Sequence, residues 1–133
     1  MSRFDHADIC AIIPARNEEA TIAGAVSSLP AWVNKMIVVD NGSTDASEAV
    51  ARKAGAAVVS ELTPGYGRAC LVGIREAGDC EILVFLDGDG ADDPNDLQKL
   101  LEPIPQDDAD FVVGLRISGD VEWRAPNGIK CPV

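Results

Sequence analysis

Residues 35–60 read KMIVVDNGSTDASEAVARKAGAAVVS, and this stretch decides the fold. It begins with a short apolar run, Lys35 to Val39, which is followed by a polar turn and a helical segment reaching about Ala54. Gly55 is a typical helix end, and a second apolar run follows from Ala57 to Ser60. A strand, a helix and a further strand in this order predict a parallel β–α–β unit.

The same alternation continues on both sides of this unit. Further strands are predicted at 8–13, where Pro14 would end the strand, at 81–86 and at 111–115. Helices are predicted at about 18–29 with Asn17 as cap, at 45–54, at 68–77, and from Asp93 onward. The run EILVFL at 81–86 is apolar nearly throughout, which is typical of a strand covered on both faces. We therefore predict an α/β fold with a mostly parallel sheet and crossover helices, followed by an irregular tail at 118–133.

The composition limits the possible partners and locations of the chain. Its 133 residues allow one modest core, and its formal net charge of −11 would repel a phosphate backbone, which argues against nucleic acid as a partner. No apolar run approaches the ~20 residues that span a bilayer, so no transmembrane segment is expected. The four cysteines are scattered and are interpreted as small core residues in a reducing compartment. These features predict a cytoplasmic location, with the inner face of the membrane as an alternative.

Three polar clusters follow the predicted strands. The cluster PARNE (14–18) follows the first strand, DNGSTD (40–45) follows the second, and DGDGADD (87–93) follows the fourth. Ligands of open α/β sheets bind beyond the carboxyl ends of the strands, and right-handed crossovers bring those ends to one edge. The first two clusters can also be explained as turns and helix starts, with Asp45 and Glu48 as a capping box.

The third cluster carries the strongest chemical signal. Asp87 and Asp89 stand one residue apart after a buried strand, where two carboxylates repel each other unless a cation holds them. Carboxylate oxygens suit Mg²⁺ or Mn²⁺, which take one or two carboxylates together with substrate phosphates. A calcium loop starting at Asp87 would need glycine at its sixth position and glutamate at its twelfth, where Asp92 and Gln98 stand. We therefore predict a Mg²⁺ or Mn²⁺ site at Asp87 and Asp89.

Five sequence blocks resemble the family 2 glycosyltransferases of the GT-A fold. The blocks are IIPARNEEATI, IVVDNGSTD, GYGRACLVGI, FLDGDGADDP and FVVGLR, and they stand in family order between residue 9 and about residue 117. They are most similar to the bacterial branch that resembles dolichol-phosphate mannose synthase. The resemblance implies a Rossmann-like domain that binds a nucleotide-diphospho-sugar over residues 1–117. It also implies that the chain is C-terminally truncated relative to the family's catalytic domain.

The resemblance implies roles for individual residues. Asp40 matches the carboxylate that holds the nucleobase, while Asp87 and Asp89 match the D-x-D pair that binds the metal on the donor diphosphate. Arg116 matches an arginine that faces the acceptor phosphate in the polyprenyl-phosphate branch. The other residues implied in contact with the donor are Pro14, Arg16, Glu18 and Gly67.

Together these features predict an inverting, metal-dependent glycosyltransferase that moves a sugar from a UDP- or GDP-sugar to a polyprenyl phosphate or glycan acceptor. The alternative is a truncated, inactive nucleotide-sugar-binding module that needs a partner or the missing C-terminal half. Exposed apolar surface where that half would pack could favour a homo-oligomer. A nucleotidyltransferase would share the sheet and the metal, but it favours a glycine-rich basic loop where this chain has ARNEE.

Overall fold

The structure is a computed structural model and describes residues 8–88. This part of the chain contains four parallel strands and three helices. The strands are β1 (Ile9–Ala15), β2 (Lys35–Asp40), β3 (Ala57–Ser60) and β4 (Ile82–Phe85). The helices are α1 (Ile22–Ser27), α2 (Ser47–Lys53) and α3 (Tyr66–Ala77). The sheet order is β3-β2-β1-β4 with every neighbouring pair parallel, which confirms the predicted α/β class.

Other predicted elements lie outside the described residues. They are the helix from Asp93, the strand at 111–115 and the tail at 118–133. The domain boundary after residue 117 therefore stays a prediction. Within residues 8–88, none of the helices has the length and apolar character needed to cross a membrane.

The two central strands are buried on both faces. On one face, side chains of β1 and β2 such as Ile13 and Val38 pack with Ile22 and Val26 of α1 and with Ala51 of α2. The opposite face packs against α3 through the cluster of Cys10, Ile12, Ile37, Val39, Ala69 and Ala77. Successive residues of a strand point to opposite faces, so burial on both sides requires an unbroken apolar run.

Helix α3 lies close to the sheet because residue 73 is glycine. A Cβ built on Gly73 would run into the side chain of Ile12 and would come within 3.3 Å of Val39 Cγ2. Both neighbours belong to the buried core, so they have little room to move. The small residue therefore sets the distance between α3 and the central strands.

Strand β1 continues through Pro14, so the prediction that this proline ends the strand is wrong. Pro14 is buried and stands in register with Val39 of β2. Backbone N–H and C=O groups two residues apart along a strand point to the same neighbouring strand. The carbonyl of Ile12 points to β4 and accepts a hydrogen bond from the Leu86 N–H at 3.0 Å, so an N–H at position 14 would also point to the β4 side. Because β4 ends at Phe85, a missing N–H at Pro14 removes no ladder hydrogen bond.

Helix α1 begins four residues later than predicted, and Asn17 is not its cap. Asn17 adopts a left-handed conformation with φ 52°, which asparagine tolerates better than most residues. Its side chain accepts hydrogen bonds from Thr44, 27 positions along the chain. Thr21 directly precedes the helix instead.

The predicted capping box at the start of α2 is also wrong. Ala46 precedes the helix, and Asp45 accepts hydrogen bonds from the backbone N–H and hydroxyl of Ser47. Glu48 forms an ion pair with Arg52 at 3.0 Å, one turn further along the helix. The carboxylate that reaches the Ala46 N–H is that of Glu19, from the loop after β1.

Two of the four cysteines are joined. Cys10 of β1 and Cys80, in the turn before β4, form a disulfide with their Cα atoms 6.2 Å apart. Both belong to the core on the α3 side of the sheet, as predicted, but the disulfide contradicts the prediction of reduced cysteines for this pair. Cys70 in α3 is a free cysteine.

Candidate functional site

The structure places the first two polar clusters, and Asp87 and Gly88 of the third, at the carboxyl ends of neighbouring strands. Asp40, the last residue of β2, stands in register with Ala15, so Arg16 begins the adjoining loop. On the other side of β1, Ile12 is in register with Phe85, and Asp87 follows two residues later. Strand order changes direction at β1, because β2 lies on one side of it and β4 on the other. This is the position where open α/β sheets bind ligands.

Hydrogen bonds join the loops after β1 and β2. Asn17 Oδ1 accepts from the Thr44 backbone N–H at 2.7 Å and from the Thr44 hydroxyl at 3.2 Å. The Asn17 N–H donates to Ser43 Oγ at 2.9 Å, and the Ser43 N–H donates to Asp40 Oδ1 at 3.2 Å. The turn at Ser43 and Thr44 therefore bonds both to Asn17 and to the Asp40 carboxylate.

A second group of hydrogen bonds joins the same two loops. The Glu18 N–H donates to Ser47 Oγ at 2.8 Å, and the Glu19 N–H donates to Asp45 Oδ2 at 3.3 Å. In return, Glu19 Oε2 accepts from the Ala46 N–H at 3.0 Å. Local turn and cap chemistry thus explains only part of these two clusters, because most of the bonds cross from one loop to the other.

Asn41 fixes the loop that follows β3. Its side-chain amide donates to the carbonyls of Glu61 and Thr63 at 2.7 and 2.8 Å, and its Oδ1 accepts from the Gly65 N–H at 3.1 Å. The Glu61 N–H in turn donates to the Asp40 carbonyl at 2.9 Å. The loop that leads into α3 is therefore tied to the end of β2, beside Asp40.

Two carboxylates in these loops have lowered pKa values. A hydrogen bond from the Ser47 hydroxyl lowers the pKa of Asp45 below its usual value of 3.8. Hydrogen bonds from Thr63 lower the pKa of Glu61, with a smaller contribution from Arg68, whose Nε lies 3.5 Å from its carboxylate. The hydrogen bonds that lower these pKa values also join each carboxylate to its neighbouring loop residues.

Replacing Asp45 by asparagine should remove a pH-dependent part of the stability. A carboxylate whose pKa is lower in the folded state stabilises that state above its unfolded pKa, and this contribution is lost as the pH falls through the folded pKa. The Asp45→Asn variant should therefore melt below the wild type at about pH 6, and the difference in Tm should shrink as the pH falls below the ordinary aspartate pKa of 3.8. Thermal unfolding, monitored by circular dichroism at each pH, measures the Tm of the wild type and of the variant. A difference in Tm that stays constant over this range would contradict the role of the charge.

Asp87 and Gly88 complete the site on the β4 side. Asp87 is half-buried, and the carbonyl of Gly88 accepts a hydrogen bond from Thr21 Oγ1 at 2.8 Å. A Cβ built on Gly88 would run into Glu18 Oε2 and would lie 2.8 Å from Ile22 Cδ1 and 3.4 Å from the Ala15 Cβ. The start of the acidic loop therefore sits directly on the turn that leads into α1.

The donor chemistry of this edge fits a hard divalent cation. Residues 8–88 contain no group of three or more histidine, cysteine or acidic side chains arranged to hold a metal. Mg²⁺ and Mn²⁺ do not need such a group, since they commonly bind one or two carboxylates together with substrate phosphates. Asp87 is one carboxylate-bearing residue at this edge, while Asp89 lies outside the described residues, as does Arg116.

The remaining candidate residues differ in their accessibility. Arg16 is exposed at the edge, and Gly67, the second residue of α3, is exposed with open space where a Cβ would stand. Pro14 is buried within β1, and one carboxylate oxygen of Glu18 is buried. Sequence reasoning missed the supporting roles of Asn41 and Thr21, because their partners lie 20 to 67 positions away.

The chain matches the family described as glycosyl transferase family 2 over residues 10–130. It is 38% identical over 108 residues to an uncharacterized glycosyltransferase of Mycobacterium tuberculosis, in an alignment covering 81% of this chain and 48% of that protein. It is 30% identical over 134 residues to UDP-N-acetylglucosamine–dolichyl-phosphate N-acetylglucosaminyltransferase of Methanococcus voltae, covering 85% of this chain and 53% of that enzyme. The chain thus spans about half the length of these curated relatives.

The fold is also similar to that of solved glycosyltransferases. One of them is glucosyl-3-phosphoglycerate synthase from Mycobacterium tuberculosis, in complex with Mn²⁺, UDP-glucose and phosphoglyceric acid. The two superpose with a TM-score of 0.64 at 33% identity, over 74% of this chain and 39% of the synthase. These similarities confirm the predicted GT-A fold and the family resemblance, whereas the mannose-synthase-like branch stays a prediction. This chain belongs to glycosyl transferase family 2.

Proposed function

We propose that this chain forms the donor-binding part of a metal-dependent glycosyltransferase that uses a UDP- or GDP-sugar. The observation that carries this proposal is the placement of Asp40 and Asp87 at one sheet edge, on either side of the strand where strand order changes direction. Known relatives support it, because one is named as a UDP-N-acetylglucosamine-dependent transferase and another was solved with Mn²⁺ and UDP-glucose.

Asp40 is suited to hold the nucleobase. The residue is 6% exposed, and its Oδ1 accepts a hydrogen bond from the Ser43 N–H, which restricts the orientation of the carboxylate at the end of β2. An ionised carboxylate accepts hydrogen bonds strongly from the ring N–H groups that both uracil and guanine present. Pro14, Arg16, Glu18 and Gly67 are proposed as its neighbours around the nucleotide.

Asp87 and Asp89 are proposed to hold Mg²⁺ or Mn²⁺ against the donor diphosphate. A divalent ion there would neutralise the negative charge that develops on the nucleoside diphosphate as it leaves. Such an ion also explains how a chain with a net charge of −11 could bind an anionic donor. The part of this chain in the reaction is to hold the diphosphate and the base in one orientation.

The acceptor is proposed to be a polyprenyl phosphate or a glycan. In the first case an acceptor phosphate oxygen bonds to the anomeric carbon while the bond from that carbon to the donor diphosphate breaks. The electron pair leaves with the nucleoside diphosphate, and attack from the opposite face inverts the anomeric configuration. A phosphate acceptor arrives already ionised and needs no general base, and Arg116 is proposed to face its charge. A lipid acceptor of this kind would place the reaction at the cytoplasmic face of a membrane.

Calorimetric titration with a UDP-sugar and a GDP-sugar tests this proposal. In the presence of Mn²⁺, one of the two should bind, and a chelator or the Asp87→Asn variant should weaken that binding by at least about tenfold. The matched control is Asp79→Asn, which makes the same charge change at an exposed position at the opposite end of β4. If the folded chain binds neither nucleotide, or binds with equal affinity after chelation, the proposal is wrong.

A further inference from the structure

Thr21 occupies the position before α1 where a hydroxyl usually caps the helix. Within the described structure its side chain makes no such capping bond. Its Oγ1 donates instead to the carbonyl of Gly88 at 2.8 Å, across 67 positions of sequence, while the Glu18 carbonyl lies further away as an alternative acceptor at 3.4 Å. The hydroxyl therefore connects two loops rather than closing its own helix.

The turn that carries Thr21 is itself fixed. The backbone N–H groups of Thr21 and Ile22 both donate to the Glu18 carbonyl, at 3.1 and 2.9 Å. The Glu18 N–H is bound by the buried Ser47, so this turn is anchored to the start of α2. A hydroxyl on such a turn has a defined position relative to the nucleotide side of the site.

The other end of the hydrogen bond lies between the two acidic residues of the D-x-D motif. The Gly88 carbonyl belongs to the peptide that leads from Gly88 to Asp89, and Asp87 immediately precedes it. Gly88 is also seated against Ile22 and Glu18, where no Cβ would fit. The hydrogen bond from Thr21 therefore restrains the Gly88 carbonyl, one residue after Asp87.

We propose that Thr21 is a positioning residue for the metal-binding loop, and that it connects this loop to the turn that supports the nucleobase side of the site. This inference rests on the proposed function, because it requires that Asp87 bind a metal. Groups that orient the ligands of a metal commonly change its affinity when they are removed. The alternative is that the hydrogen bond only strengthens the packing of β4, and this would affect all ligands alike.

The test measures Mn²⁺ binding directly, from the electron paramagnetic resonance signal of free Mn²⁺, with the full chain in the presence of UDP and, separately, of GDP. Thr21→Val keeps the shape of the side chain but removes the hydroxyl, whereas Thr21→Ser keeps the hydroxyl. We expect Thr21→Val to raise the Kd for Mn²⁺ about tenfold, while Thr21→Ser stays close to the wild type. Binding of the nucleotide without metal should be unchanged in both variants.

A control variant comes from the same helix region. Ser28→Ala removes a hydroxyl that donates to the Ala25 carbonyl at 3.1 Å, away from the site, and should leave Mn²⁺ binding unchanged. The inference is overturned if Thr21→Val binds Mn²⁺ as the wild type does, if Thr21→Ser is as weak as Thr21→Val, or if nucleotide binding falls equally with and without metal. A wild-type chain that takes up no Mn²⁺ with either nucleotide would instead disprove the proposed function, and the inference with it.

Discussion

Gly88→Ala is expected to weaken metal-dependent donor binding by at least about tenfold and to lower the free energy of unfolding by roughly 1–3 kcal/mol. The added methyl group would meet Glu18 Oε2, Ile22 Cδ1 and the Ala15 Cβ. Ile22 is fully buried and Ala15 is 3% exposed, so neither can move aside without disturbing the core. The acidic loop would have to shift instead, and Asp87 would move with it.

Gly24→Ala is the matched control for this variant. Gly24 lies within α1, and a Cβ there would meet no atom within 4 Å. The substitution should raise stability by up to about 1 kcal/mol and leave donor binding unchanged, because alanine favours the helix over glycine. Chemical denaturation and donor titration measure the two effects. Wild-type donor affinity in Gly88→Ala would show that the packing of this loop does not position the site.

The order of strands and helices within residues 8–88 could be predicted from the sequence. The predicted bounds of β3 agree with the structure, and those of β2 differ by one residue. The reason is that a strand buried on both faces needs a continuous apolar run, and this pattern is visible within a few residues. The bounds of α3 were two residues short at the start, since Tyr66 and Gly67 carry no helical signal.

The loops could not be predicted, because their hydrogen bonds join residues far apart in sequence. Asn17 has the side chain of a helix cap, and only its partner Thr44 on another loop reveals a different role. Pro14 suggests a strand end unless it is known that β4 stops at Phe85. In each case the local residue type favoured one structure, and a contact 27 or more positions away determined another.

The candidate site, too, could be predicted only in part from the sequence. Asp40 and Asp87 could be identified because acidic residues directly after apolar strands are unusual and the resemblance gives them roles. Ser43 holds the Asp40 carboxylate, and Asn41 and Thr21 hold the neighbouring loops; all three have ordinary turn chemistry in sequence, and their importance depends on geometry. Asp89 and Arg116 lie outside the described residues, so their roles stay predictions.

Asp40→Asn is expected to weaken nucleotide binding by about tenfold to a hundredfold while the chain stays folded, since a hydrogen bond to a charged group contributes about 1.5–3 kcal/mol. Asparagine keeps an oxygen that can accept the Ser43 N–H, so the turn after β2 should persist. It replaces the charged acceptor with a neutral amide, whose NH₂ group would face a nucleobase N–H and could not accept from it. Titration with UDP and GDP in Mn²⁺ measures the loss.

Two comparisons separate a specific contact with the base from a general effect of charge. Asp45→Asn removes the same charge five positions along the same loop, and it should leave nucleotide affinity near the wild-type value at neutral pH. Pyrophosphate with Mn²⁺ carries the metal and the phosphates but no base, so Asp40→Asn should bind it as the wild type does. If pyrophosphate binding falls as far as UDP binding, or if both asparagine variants lose equal affinity, Asp40 does not hold the base. If Asp40→Asn loses affinity for UDP but not for pyrophosphate, and Asp45→Asn keeps both, the edge has a nucleobase half at β2 and a metal half at β4, with the loop after β1 between them.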